Sequence, residues 1–496
     1  MSFVKKVEIL ENHGGQEIIT LWEIDIEGAD IVWKERDLID SKIKEISFSM
    51  ISGDYGAYFG KWKAERDGAK TRLSLDLTVD WDIPSFERVI GDVLEQKTKK
   101  MIRGMLAALK LRIQSKHKTT ASKESPLLQE KINTAKKFAF VIHPLDVGLV
   151  SVAFGEPNLL NRKYSLVKKA FEWLPSFQCS KVSGVKSLTG QELEGELIYF
   201  SLLPDQILSL DDQIVLDKAI AACRIAEKRG ASIIGLGAYV AQIGKKGLSI
   251  SKSLTAAVTT GTHYTIFTAI ESVLESATRV GIDLRRSNIS IVGATGAIGR
   301  ICAEFFSEKV ERLIIVGRNE GRLKTLAGDL RQKYYCNVIC ESDAKKAIVN
   351  SDISIMCTTT PEALVDLRDL RPGSLLCDIS RPRNVSNTDK IIRKDVLVID
   401  GGLIQPPGEN VNFNFYFGLP KGLAYACMAE TMILALEGIN ENYSLGGDVT
   451  IEKVKKIGLL AKKHGFRLAK IMSFENEVPD DVFTQVSAAR GAKIFL

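Results

Sequence analysis

SNISIVGATGAIGRICAEFFSEKVERLIIVGRN, residues Ser287 to Asn319, decides how the second half of this 496-residue chain is read. An apolar strand (Ile289, Ile291, Val292) runs into Gly293, Gly296 and Gly299. A helix carrying Ile301, Ala303, Phe305 and Phe306 follows, and then a second strand, RLIIVG. Glycines at this spacing permit a tight turn, let backbone approach a pyrophosphate, and bring helix and strand into contact. The helix N-terminus then offers free N–H groups to the phosphates. A glycine-rich turn alone says little. With strand, turn, helix and strand in this order, a dinucleotide site is expected on Gly293, Ala294, Thr295, Gly296, Ala297, Ile298 and Gly299.

The tip of the second strand selects the cofactor. An acidic residue there would suit the ribose 2′-hydroxyl of NADH, whereas Arg318, followed by Asn319 and by Arg322 one turn on, suits the 2′-phosphate of NADPH. The competing reading makes Arg318 a solvated or helix-capping residue. DISIMCTTTP and SLLCDISRPRN supply two further strand-to-loop junctions, which a doubly wound sheet brings to its cofactor edge.

Upstream of this stretch, FAFVIH, ELIYFSLLP and ASIIGLGAYV alternate with helical segments such as DDQIVLDKAIAACRIAEKRG, which argues for a largely parallel sheet. Residues 115 to 136, SKHKTTASKESPLLQEKINTAK, have almost no apolar period and read as a linker. Before it, EIITLWEIDIE, DIVWKERDL, KIKEISFSMI, YFGKWKAER and TRLSLDLTVD read as antiparallel strands. In the last, Leu73, Leu75, Leu77 and Val79 alternate with polar residues, which sets an apolar face inward. A long helix is expected after Pro84, with Phe86, Val89, Ile90, Val93, Leu94, Met101, Met105, Leu109 and Ile113 at helical spacing.

Composition narrows the class. About three domains fit this length. No apolar run approaches the ~18 residues needed to cross a bilayer; Glu430 and Glu437, for example, flank and break TMILALEGI. The start, MSFVKKVEIL, has no signal-peptide pattern, so a cytoplasmic protein is expected. Eight cysteines are sparse and none has zinc spacing, so neither disulfides nor a metal is expected. The net charge of +6 is modest, with basic runs at Lys97–Lys123 and in KVKKIGLLAKKHGFRLAK. These runs read as solvated helix faces or as docking sites for an acidic partner, peripheral contact with a membrane included. Neither has the aromatic interleaving of a nucleic-acid site.

Two resemblances add to this. GDYGAYFGKWKAERDGAKTRLSLDLTVDWDIP and the helix after it resemble the START/polyketide-cyclase superfamily over about residues 1–115. The resemblance implies an α+β helix-grip domain that holds an apolar ligand between sheet and helix. The chain starts later than the family pattern, without its first strand and short helices. That leaves open an incomplete cavity, a sequence that lacks its true beginning, or a degenerate structural module without a ligand.

From about Phe138 to Lys470 the chain resembles the long-chain acyl-[acyl-carrier-protein] reductases, the aldehyde-forming enzymes of cyanobacterial alkane synthesis. LIYFSLLPDQIL, SIIGLGAYVAQI, TTGTHYT, GIDLRRSNISIVGATGAIG, IDGG, AYACMAETMILALEGI and NYSLGGDVTIEKVKKIGLLAKKHGF carry it, in that order. It implies that a cysteine attacks an acyl thioester and that NADPH reduces the acyl-enzyme to an aldehyde. Cys427 of AYACMAE stands at the nucleophile position; read alone, a cysteine among these neighbours is inert core. The acyl group would arrive on acyl-carrier protein or coenzyme A. His263 sits one position away from the family's histidine, so either His263 or Tyr264 is the expected proton donor, against packed helix residues as the plain alternative. RPRN replaces a glycine-containing loop of the family, and the tail after Met472 has no counterpart. His143 matches a family histidine and is otherwise a strand-end residue.

The expected architecture is therefore α/β: a helix-grip domain (1–115), a linker (116–136), an α/β substrate domain (137–284), a Rossmann-type doubly wound NADP domain (285–404) and a C-terminal helical segment (405–496) carrying Cys427. Two rivals stand beside the acyl-thioester reductase. One is a lipid-binding or transfer protein with an inactive core. The other is an NADPH reductase of another carbonyl or aminoacyl ester that forms no covalent intermediate.

Overall fold

Alternating apolar and polar residues over the first 80 positions produce six antiparallel strands paired in chain order: Val4–His13, Glu17–Ile26, Ala29–Asp40, Glu45–Gly53, Ala57–Asp67 and Lys70–Asp80. The structure is a computed structural model, and it describes residues 4–26, 29–68, 70–81, 95–96, 98–103, 106, 136–360, 362–380, 383–386, 393–474 and 476–491. The first strand was not among the five expected from sequence. It is exposed along almost its whole length, so its side chains carry no alternation to read.

One face of this sheet gathers aromatic rings. Trp33 stacks on Trp22 with ring centroids 5.6 Å apart and meets Tyr58 at 5.0 Å, and Tyr55 packs edge-on against Trp81. Glu35 is buried among them, hydrogen-bonded by the Trp33 indole N–H at 2.9 Å. Of the long helix expected after Pro84, residues 95–96, 98–103 and 106 are described and are helical. Phe86, Val89, Ile90, Val93, Leu94, Met105, Leu109 and Ile113 lie outside the described residues, as does the linker up to position 135.

The chain forms two compact units. The first comprises Met1–Lys131, Asp146–Pro175 and Ser201–Gln206; the second comprises Ile132–Leu145, Ser176–Phe200 and Ile207–Leu496. Helices Val147–Phe154 and Tyr164–Trp173 thus belong with the antiparallel sheet. Asp54 ties them to it. Its carboxylate accepts from the Val32 backbone N–H at 2.8 Å and pairs with Lys163 at 2.6 Å, while its carbonyl accepts from Arg162 at 2.9 Å.

Among the described residues the second unit holds two large sheets, besides three small ones of two or three strands. Across the first run Ala257–Thr259, Ile233–Leu236, Lys137–Ile142, Glu192–Tyr199 and Phe177–Lys186; only the last strand is antiparallel to its neighbour. The other sheet is wholly parallel. Numbered in chain order, Asn288–Val292, Arg312–Val316, Val338–Glu341, Ile353–Met356, Leu375–Asp378 and Leu397–Asp400 stand in the order 3-2-1-4-5-6, the doubly wound dinucleotide topology. The apolar stripe Ile266, Ile270, Val273 and Ala277 of helix Thr262–Arg279 packs into the core of this sheet with Ile289, Ile301 and Ile315. Helix Ala426–Glu437 is apolar apart from Glu430, Thr431 and its last residue, Glu437, and is buried almost throughout.

Candidate active site

Strand Asn288–Val292 ends at Gly293, which has φ +91°, and the Gly296 N–H closes the turn on the Gly293 carbonyl at 2.9 Å. Helix Ala297–Phe306 begins immediately after, with no side chain capping it. Its first N–H groups are left to a ligand, and the dipole favours an anion there. A Cβ at Gly299 would lie 2.4 Å from the Gly293 carbonyl oxygen and 2.7 Å from Ala294 Cα, so only glycine fits under the turn. Gly293, Thr295, Gly296, Ala297 and Ile298 line a cleft of about 870 Å³, whereas Ala294 and Gly299 are buried and do not line it. The free helix end and the glycine cradle fit a dinucleotide pyrophosphate.

Arg318 and Arg322 line the same cleft, at the end of strand Arg312–Val316, and are exposed. Among the described residues neither makes an ion pair, so both guanidinium groups are available to a phosphate. Asn319 has other work: its side chain caps helix Glu320–Tyr334, accepting from the Arg322 N–H at 2.9 Å. Lys345 also reaches the cleft but pairs with Asp369 at 3.2 Å.

Thr260, Thr262, Ser444, Gly447 and Lys246 also line the cleft. Here the chain brings Cys427 and His263 onto neighbouring helix starts. Cys427 is the second residue of helix Ala426–Glu437, and that helix is tied to the doubly wound sheet where the Ala426 N–H donates to the Gly402 carbonyl at 2.7 Å. Gly261, the residue before helix Thr262–Arg279, packs directly on Cys427. His263 follows on the first turn. It is fully buried, with Nδ1 against the Ser444 hydroxyl and its ring 4.9 Å from that of Tyr443. Burial, with Lys453 nearby, lowers its pKa to about 4; Asp448 partly opposes this. Neutral imidazole is the resting form. Tyr264 turns the other way and stacks on Phe267, its phenol pushed up by burial.

Sequence reading missed the group that connects these pieces. Glu430 accepts from Thr259 Oγ1 at 2.6 Å, from Ser444 Oγ at 2.8 Å and from the Tyr264 N–H at 2.8 Å. Burial raises its carboxyl, and the Thr259, Tyr264, Ser444 and His263 hydrogen bonds oppose the rise. The one available signal was a carboxylate beside an otherwise apolar helical run.

The remaining thiols have settled surroundings. Cys357 lines the cleft, but its Sγ is 3.1 Å from the Val292 carbonyl and burial holds its pKa well above the ordinary range. Burial raises Cys179, Cys223 and Cys302 to about 12. Both nitrogens of His143 serve backbone: Nδ1 faces the Pro144 carbonyl at 2.8 Å and Nε2 accepts from the Tyr239 N–H at 3.2 Å. Asp378 accepts from the N–H groups of Ser380, Asn384 and Val385, and so pins the described ends of the loop around Arg383. Among the described residues no group of His, Cys, Asp and Glu could hold a metal, and no helix is long and apolar enough to cross a membrane.

Known proteins match both parts of the chain. Residues 1–106 match the family described as polyketide cyclase / dehydrase and lipid transport, and residues 275–400 match shikimate / quinate 5-dehydrogenase. The long-chain acyl-[acyl-carrier-protein] reductase of Synechococcus elongatus is 28% identical over 57% of this chain and 85% of its own length. The α/β part of this chain is similar to that reductase. The aminotransferase PigE of a Serratia species is 26% identical over 69% of this chain, which spans only 41% of PigE. Among solved structures, shikimate 5-dehydrogenase from Listeria monocytogenes aligns over 55% of this chain and 89% of its own, at 13% identity and a TM-score of 0.27. The wholly parallel sheet and its glycine turn have the topology of a dinucleotide-binding fold, and a module similar to the polyketide cyclases precedes the α/β core.

Proposed function

We propose that the protein is an NADPH-dependent reductase that takes a long-chain acyl thioester, on acyl-carrier protein or coenzyme A, to a fatty aldehyde through an acyl-enzyme on Cys427. The observation that carries this reading is the position of Cys427. It lies on the first turn of a buried helix whose Ala426 N–H is bonded to Gly402, just past the end of the doubly wound sheet, and it packs against Gly261, the residue between the cleft-lining Thr260 and Thr262. Helix N–H groups at such a position favour a negative sulfur. The similarity to an acyl-[acyl-carrier-protein] reductase supports the substrate class.

The chain's own part in the reaction follows from these groups. The Cys427 thiolate adds to the thioester carbonyl, the carbon–sulfur bond to the carrier breaks, and the carrier leaves as its thiol once protonated. The acyl group is then fixed within the cleft, which splits one difficult step into two easier ones. NADPH, when bound, supplies the hydride that brings the acyl carbon to the aldehyde level. Collapse of the tetrahedral adduct releases the aldehyde and restores the thiolate. Gly293, Thr295, Gly296 and Ala297 would hold the pyrophosphate, and Arg318 with Arg322 the 2′-phosphate. In this reading the N-terminal module, with its aromatic face, takes the acyl chain or the released aldehyde.

Mass spectrometry of the protein after incubation with acyl-CoA or acyl-[acyl-carrier protein] tests it. One acyl mass on the Cys427 peptide, removed by hydroxylamine and discharged as aldehyde by NADPH, is expected. Turnover with no covalent adduct would favour direct hydride transfer; ligand binding without either adduct or turnover would favour a lipid-binding protein with an inactive core.

A further inference from the structure

Glu430 lies one helical turn beyond Cys427 and is wholly buried. Helix Thr262–Arg279 has no side-chain cap of its own, because the residue before it is Gly261. Glu430 supplies the missing acceptor from another helix, taking the N–H of Tyr264, the third residue of the turn. Its other oxygen is shared by the hydroxyls of Thr259 and Ser444.

The consequence falls on His263. Ser444 gives its hydroxyl proton to Glu430, so only lone pairs remain on its oxygen. That oxygen accepts from the His263 backbone N–H at 3.3 Å and faces ring Nδ1. Nδ1 must therefore carry the ring proton. A neutral imidazole has one N–H, so Nε2 is left with a bare lone pair. Nε2 is buried and has no hydrogen-bond partner among the described residues, and neither has the hydroxyl of Tyr443, whose ring lies 4.9 Å from that of His263. Orphaned buried polar atoms are rare and mark a place kept for a partner. Ser444 also holds φ +56°, a left-handed backbone that a serine rarely adopts and that surrounding contacts must impose. The Ser444 carbonyl is gripped by Thr260 Oγ1 at 2.6 Å, and the Tyr443 N–H by the Val258 carbonyl at 2.9 Å.

We propose that Glu430 is a positioning residue that, through Ser444, fixes the ring proton of His263 on Nδ1 and so makes Nε2 the proton-accepting atom on the helix start that packs, through Gly261, on Cys427. This rests on the reading of Cys427 as the nucleophile. The proton concerned is then that of the thiol. The S–H bond breaks, its electron pair stays on sulfur, and the proton goes to Nε2. The imidazolium keeps its Nδ1–H on Ser444, with the Glu430 carboxylate next in line. The same proton can later pass to the departing carrier sulfur.

Ring-¹⁵N histidine NMR on the full chain reads the tautomer without any turnover. The chain has five histidines, and the signal lost in His263→Gln assigns this one. An unprotonated Nε2 is expected in the wild type. In Glu430→Gln the amide N–H₂ donates to Ser444, whose hydroxyl then turns toward Nδ1, so the proton should move to Nε2. The kcat should fall at least tenfold while KM for NADPH stays within about twofold. A protonated Nε2 in the wild type overturns the proposal, as does an unchanged Glu430→Gln spectrum accompanied by lost turnover. If Glu430→Gln does not fold, Ser444→Ala decides: a tautomer still fixed on Nδ1 overturns the relay, and a mixture supports it. Failure of the underlying reading looks different, because Cys427→Ala would then stay active whatever the tautomer.

Discussion

Gly261 and Cys427 occupy adjoining space so closely that a methyl group on Gly261 would stand 2.2 Å from Cys427 Cα and 2.3 Å from its Cβ. Gly261 also has φ +73°, so any side chain there meets both backbone strain and a collision. Gly261→Ala should cost roughly 2–4 kcal/mol of stability. What folds should have lost turnover in excess of NADPH binding, because the displaced atoms belong to Cys427 and not to the nucleotide turn. Thermal unfolding together with NADPH titration measures both; an unperturbed, active variant would contradict the packing.

The nucleotide turn gives a separate expectation. At Gly299 the blocked direction points at backbone, the Gly293 carbonyl and Ala294 Cα, which has no flexible end to move aside. Gly299→Ala should abolish dinucleotide binding as measured by fluorescence titration, while Cys427 still takes up an acyl group from a thioester. Retained binding at wild-type affinity would rule out the cradle.

Arg318 should set the choice between cofactors. Losing a charge-assisted contact to the 2′-phosphate costs about 1.5–3 kcal/mol, or about tenfold to a hundredfold in affinity. Arg318→Ala should weaken NADPH by that factor and barely change NADH, with Arg322→Ala acting in the same direction. Equal losses for the two cofactors would refute the assignment.

The thiols can be told apart by substitution. Cys427→Ala should abolish acylation and turnover and leave NADPH affinity within a few-fold. Cys357→Ala should remain acylated and active, since the Cys357 thiol is bonded to the Val292 carbonyl and burial keeps it protonated. A dead Cys357→Ala beside an active Cys427→Ala would transfer the nucleophile's role to Cys357.

Acid and base should act on the two units in opposite senses. Burial lowers His143 and His263 from 6.5 to about 4, so between those values the unfolded chain binds protons that the folded one does not. The second unit should lose stability as pH falls through that window, by at most ~3 kcal/mol per histidine. Glu35 is the reverse. Burial raises it from 4.5 to about 8, the indole of Trp33 opposes the rise, and Asp37 adds to it. The folded first unit holds a proton that the unfolded chain releases, so its stability should fall as pH rises from about 4.5 toward 8. Calorimetry across this range checks the two directions, and Glu35→Gln should flatten the alkaline loss.

Local chemistry was legible in the sequence wherever the cause was local. The glycines of GATGAIG, the strand before them and the helix after them are neighbours in the chain, and they appear in the fold as read. Strands with alternating faces were legible too, and Val4–His13, which has no buried face, was not. The network around His263 escaped because its partners are remote. Glu430 is 166 positions from Tyr264, and Ser444 is 181 from His263. No periodicity records such a meeting. The two helices on the antiparallel sheet were hidden for the same reason: Asp54 meets Lys163 across 109 residues.

The division of residues between the units has a consequence during synthesis. When Lys131 leaves the ribosome, the first unit still lacks Asp146–Pro175 and Ser201–Gln206. Translation at about 5–20 residues per second delays its last piece by roughly 4–15 seconds. Early in that interval the emerging antiparallel sheet waits with Asp54 unpaired until Lys163 follows, and strand Lys137–Ile142 of the other unit, once outside, has no partner until Glu192–Tyr199 arrives. Neither unit can finish before the other has begun, so nascent chains of 140 to 200 residues should be the ones that chaperones hold.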